Sequence, residues 1–174
     1  MAELPAPDVI VNPVSGQTVT FVSTTPEKLE TRFEIESGHA NDPRHIHPLQ
    51  TESISVIKGR IRRSLADRSE DVLEPGQNWE IPPGTPHTWT AIDGDVKLRI
   101  EFRPALRTRL LMTRLFRLAE AGKLNSKGFP SPLQISVIAL EYEPELRLAR
   151  PPWFVQRVLL GLLAPLARLL GYRA

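Results

Sequence analysis

Between residue 17 and about residue 103, apolar and polar side chains alternate with a period of two, in short runs broken by glycine and proline. QTVTFVST (17–24) and LETRFEIES (29–37) show the alternation, and GDVKLRIEF (94–102) puts Val96, Leu98, Ile100 and Phe102 on one face. ESISVIKG and RIRRSLA flank Gly59 as a hairpin-like pair, and DVLEPGQNWEIPPGTPHTW carries PG and PPG turns. A period of two places successive side chains on opposite faces of a pleated strand, and many short strands at this spacing argue for an all-β sandwich or barrel. After residue 103 the period changes. In LRTRLLMTRLFRLAEAG, leucines 106, 110, 111, 115 and 118 recur at helical spacing, and Gly122 is placed to end that helix. Ser131 followed by Pro132 is an N-cap and first-turn pair for a second helix to about Leu140. A third helix is expected from Trp153 towards Leu170, bent or broken at Pro165. The organisation read from the sequence is an irregular arm over 1–16, a β-barrel over 17–104 and a helical region over 105–174 that packs on the barrel or on a partner subunit.

Charge divides the chain at the same place. Residues 1–102 hold 10 basic and 16 acidic side chains; residues 103–174 hold 12 and 4. The simplest expectation is a basic helical region packed on an acidic barrel, with a surface for anionic lipid as the alternative. Nucleic acid is not expected as a partner, because the basic residues are not interleaved with stacking aromatics. The apolar run VLLGLLAPLA between Arg157 and Arg168 is ten residues, half of what a bilayer span needs. Arg157 and Arg168 lie three helical turns apart and share a face, which suits a helix packed on one side; contact with a membrane surface is the less favoured reading. There is no cysteine, so disulfides and thiolate metal sites are excluded; with no signal-peptide pattern at the N-terminus, the cytoplasm is the expected compartment.

Three of the four histidines fall where chemistry can use them. His45 and His47 are i and i+2 on a strand and project to one face. Glu52 has the wrong parity for an unbroken strand, and a bend at Pro48 would reset it. His87 follows the rigid turn IPPGTP. Three imidazoles and one carboxylate suit a divalent transition metal and leave coordination positions open. A lone HxH pair is as readily a surface or core feature. His39 lies outside this set and is read as a loop histidine, or less readily as a proton shuttle at the pocket mouth. Trp89 shares the face of His87, and Ala91 continues it. Ile54 and Val56 share the face of Glu52, so the expected substrate pocket is largely apolar. Arg99, Glu101 and Arg103 alternate on the opposite, outward face.

These residues resemble the two cupin motifs. The first, G(X)5HXH(X)3-4E(X)6G, is matched by His45, His47, Glu52 and Gly59; the second, G(X)5PXG(X)2H(X)3N, by Gly76, Pro82, Gly84 and His87. Two positions depart: Gly38 lies one residue too early, and Ala91 stands where the second motif has asparagine. The resemblance covers about residues 17–103 and implies a cupin double-stranded β-helix, or jelly-roll barrel, followed here by C-terminal α-helices. It implies a homodimer and one divalent metal ion (Fe, Mn, Ni, Cu, Co or Zn, with Fe(II) favoured) held by His45, His47, Glu52 and His87. The function it implies is a metal-dependent enzyme of the dioxygenase type acting on a small, mostly apolar molecule, with Glu52 as a candidate acid–base group. The alternatives are a metal-dependent isomerase or lyase, or a metal- or small-ligand-binding module without turnover.

Overall fold

The computed structural model describes residues 8–36, 43–65, 70–92, 94–125 and 128–174. Two antiparallel sheets hold the strands. The first runs β1 (Val9–Asn12), β2 (Gln17–Thr24), β3 (Leu29–Ile35), β10 (Val96–Arg103), β5 (Thr51–Lys58), β8 (Asn78–Ile81). The second runs β11 (Arg147–Leu148), β4 (His45–Ile46), β9 (His87–Ala91), β6 (Ile61–Leu65), β7 (Asp71–Leu73). The inward side chains of both sheets form one core, with Val19, Leu29, Ile54, Leu98 and Ile100 from the first sheet meeting Ile61, Leu73 and Trp89 from the second. On the outer face of the first sheet, Glu101 accepts from Arg99 and Arg103, and Glu30 from Arg99 and Lys28. The alternation along β10 is what separates this ion-pair ladder from the core. The architecture is the expected jelly-roll β core followed by three helices.

Two local expectations are corrected. Residues 9–12 are not irregular: they pair with β2 as the edge strand β1. The segments around Gly59 do not form a hairpin. β5 pairs with β10 and β8 while β6 pairs with β9 and β7, so the chain changes sheets at this corner. Gly59 sits at φ +74°, and a Cβ there would lie 2.8 Å from Val96 Cγ2 and 2.9 Å from the Asp95 carbonyl oxygen. Only a residue without a side chain turns this corner unstrained.

The helices are α1 (Thr108–Glu120), α2 (Pro132–Glu141) and α3 (Trp153–Leu169). The Ser131 hydroxyl accepts from the Gln134 amide at α2, as its sequence predicts. α3 runs through Pro165 without a break; the residue four before it is Gly161. α1 is shared between two cores. Phe116 packs into the barrel, with Met112 and Leu115 against it, while Leu111 joins Val137, Ile138, Tyr142, Ala164 and Ala167 among the helices. The helical region also returns a strand to the barrel: β11 pairs with β4, Leu148 opposite His45.

Candidate metal centre

Three features of the backbone bring the four side chains together. β4 and β9 are neighbours in register, with His45 opposite His87. The chain then bends at Pro48 and Leu49 and enters β5, which belongs to the other sheet. Glu52 therefore reaches the histidines from across the barrel, by a change of sheet as well as of parity. The turn before His87 is fixed by Pro82 and by Gly84 at φ +76°, a conformation favouring glycine at the third residue of a type II turn. Its Gly84 amide donates to the His47 carbonyl at 2.8 Å, so the two motifs are tied to each other.

His45, His47, Glu52 and His87 are all buried, and one ligand atom from each lies within 4.8 Å of the others. Each imidazole spends its Nδ1 on a backbone carbonyl: His45 on Pro43 at 2.8 Å, His47 on Glu145 at 2.6 Å and His87 on Thr85 at 2.8 Å. A carbonyl only accepts, so each Nδ1 carries a proton and each Nε2 is turned to the centre. The Nε2 atoms of His45 and His47 are 3.1 Å apart, and Glu52 Oε2 lies 2.8 Å from His87 Nε2 and 3.5 Å from His47 Nε2. Burial is the largest influence on His47 and brings its pKa down to about 4, so the ring is neutral and its Nε2 bare at neutral pH. Burial alone would raise the Glu52 carboxyl; the His87 hydrogen bond and the neighbouring imidazoles outweigh it and hold it at about 2. The result is a buried centre of three imidazole nitrogens and a carboxylate, in which His87 Nε2 and Glu52 Oε2 share a proton when no cation is bound. A divalent cation fits that donor set, because it can replace the shared proton as the positive charge between three nitrogens and a carboxylate.

The surrounding wall is apolar. Ile54 and Val56 are fully buried beside Glu52. Trp89 is buried on β9 as part of the general core, and Ala91 is half-buried at the end of that strand, opposite Ile61. Two further rings lie against the histidines: the Phe102 ring centre is 5.2 Å from that of His47 and the Trp79 ring centre 6.0 Å from that of His87, each edge to face. Trp79 and Phe102 were findable from parity, since Trp79 alternates with Ile81 and Phe102 belongs to the apolar face of β10. Gln50 had no such signal. It is fully buried in the bend, where its amide nitrogen donates to the carbonyls of Pro104 (2.8 Å) and Ala105 (3.1 Å) and to Thr108 Oγ1 (2.8 Å). It thereby fixes the bend before Glu52 to the start of α1. His39 and Gly38 lie outside the described residues.

The comparisons with known proteins agree with the fold. A family model described as "Cupin domain" matches residues 31–101. Among solved structures, an RmlC-like cupin from Shewanella frigidimarina superposes with a TM-score of 0.52 at 19% identity, covering 61% of this chain and 92% of its own. KdgF from a Halomonas species superposes with a TM-score of 0.50 at 22% identity, covering 53% and 84%. At these identities both report the fold. No curated protein sequence matches significantly. Residues 31–101 of the chain are a cupin domain, with a buried three-histidine, one-glutamate cluster that could hold a metal ion, and the helical region adds the edge strand β11 to the sheet that carries His45 and His87.

Proposed function

We propose that His45, His47, Glu52 and His87 hold one divalent transition metal ion, Fe(II) in the favoured case, and that the domain oxidises a small, mostly apolar organic molecule in a dioxygenase-type reaction. The observation that carries the reading is the commitment of all three Nδ1 atoms to backbone carbonyls, which leaves three Nε2 atoms and a carboxylate converging on one point. A bound first-row metal supplies Lewis acidity and, for ions with accessible redox states, activation of dioxygen. The chain's own residues supply the setting. The carbonyls of Pro43, Thr85 and Glu145 fix ring orientation. Phe102, Trp79 and Ile54 keep the centre dry and favour an apolar substrate. Glu52 is the one group of the four that keeps an oxygen free to accept a proton once the three Nε2 atoms are engaged.

The test is substrate-dependent oxygen consumption by iron-reconstituted protein across a panel of small aromatic and aliphatic compounds, with Glu52→Gln as the control. Consumption that disappears in the variant supports oxygenation. The near-complete burial of the four side chains favours a second reading, a metal-binding module without turnover. Under that reading the metal binds stoichiometrically and no compound elicits oxygen uptake.

A further inference from the structure

The outward face of α3 is apolar and uncovered. Phe154, Val158, Leu162, Leu166 and Leu169 recur along it at helical spacing, each at least half exposed and Leu169 85% exposed. The opposite face, with Gln156, Ala164 and Ala167, packs among the helices. Such a stripe exceeds the scattered exposure normal for a soluble surface. Residues 151–174 contain three arginines and no acidic side chain, and Arg157 and Arg168 share one edge of the stripe. The nearest acid to that edge, Glu143, lies 4.0 Å from Arg157 and is already held by Arg147 at 2.6 Å.

A second feature adjoins the first. A groove of about 930 Å³ runs between α1, the start of α2 and the C-terminal segment, and Arg114, Arg117, Lys123 and Arg173 line it with no acidic side chain among the lining residues. Arg114 reaches the Tyr142 hydroxyl at 3.3 Å, and Arg173 donates to the backbone carbonyls of Arg168 and Tyr172. Among the described residues, Arg117 and Lys123 form no ion pair. Leu170, 60% exposed, both lines the groove and extends the apolar stripe. The excess positive charge of the helical region is therefore gathered beside its exposed apolar face. Arg109 of the basic helical region reaches Asp8 at 3.0 Å, whereas Arg117 and Lys123 take no part in such pairing among the described residues.

We propose that α3 and the adjoining groove form a docking surface for an anionic lipid bilayer. The helix lies in the plane of the interface with its apolar stripe in the acyl boundary, and the groove cations meet anionic headgroups. No helix among the described residues is long and apolar enough to cross a membrane, so the contact is peripheral. A second copy of the chain is the weaker occupant. Pairing two α3 faces brings Arg157 and Arg168 of both copies to one interface, and neither helix carries an acid to offset them.

The experiment is flotation of the full chain with vesicles of pure phosphatidylcholine or of an equimolar mixture with phosphatidylglycerol, at low and high salt. Binding is expected to the anionic vesicles and to fall about tenfold or more on pure phosphatidylcholine. A loss of similar size is expected from Arg117→Glu with Lys123→Glu and, separately, from Leu162→Gln with Leu169→Gln. All four positions are exposed, and unchanged thermal unfolding verifies the folds of the variants. Absence of binding to anionic vesicles, equal binding to both vesicle types, or binding indifferent to both variant pairs overturns the proposal. So does a dimer in sedimentation velocity that Leu162→Gln with Leu169→Gln dissociates, which would assign the stripe to a second copy.

Discussion

Replacing Arg107 by alanine tests whether the helical region holds the metal centre in shape. Glu145 is 2% exposed. Its Oε1 accepts from the Arg107 amide and from Arg107 Nε, both at 3.1 Å, and its Oε2 has no hydrogen-bond partner. Arg107 also donates to Glu141 at 2.6 Å and stacks over Tyr142 at 4.9 Å. The alanine variant keeps the amide contact and strands the rest of a buried carboxylate. Removing one partner of a fully buried pair costs about 3–5 kcal/mol; with the Arg107 side chain 42% exposed and one donor retained, about 2–3 kcal/mol is expected. Glu145 also supplies the backbone carbonyl that orients His47, so metal affinity should fall about tenfold, the lower end of what loss of an orienting partner costs. Urea unfolding reads the first quantity and competition with a chromogenic chelator the second. Glu145→Gln in the Arg107→Ala background removes the stranded charge, keeps the carbonyl and should recover most of both. A variant within about 0.5 kcal/mol of wild type with unchanged metal affinity would refute the coupling.

Gly59→Ala should destabilise the barrel by about 3 kcal/mol in denaturant unfolding, the sum of left-handed backbone strain and a contact at 2.8 Å that Val96 cannot relieve without moving. Gln50→Leu should cost about 1–3 kcal/mol by leaving the Pro104 and Ala105 carbonyls without their buried donor, read by the same assay. Metal-free protein should lose stability as pH falls. The unfolded chain protonates His47 near 6.5 and the folded one only near 4, so stability drops across that window, and Glu52, depressed from 4.5 to about 2, extends the loss below it. Thermal unfolding between pH 7 and 3 measures this, and His47→Gln should flatten the upper part of the curve.

The strands and the four-residue cluster were legible because both depend on side-chain period and on rigid turns. The HIH pair follows from i, i+2 geometry, and the turn before His87 announces itself in two prolines and a glycine. What was hidden involves backbone groups and distant partners. The carbonyl of Glu145 orients His47 from 98 residues away, and no residue type marks a carbonyl. β11 is two residues long, too short for any periodic signal. Gln50 reads as an ordinary polar residue in a bend; only its burial shows that it joins that bend to α1. Gly59 was visible as a turn, but its sequence neighbours do not say that the flanking strands part company into different sheets. β1 is an apolar run without alternation between prolines, so it resembled an arm. For α3 the apolar run announced a helix but not which of its faces the other helices cover.

The central claim is that the buried cluster holds a metal ion, and elemental mass spectrometry on tag-free protein purified without chelators tests it most directly. Near-stoichiometric iron, or another first-row transition metal, that is lost in both His47→Ala and Glu52→Ala is the predicted result. Protein that holds no metal and takes none up on reconstitution, or metal content unchanged in both variants, would contradict it.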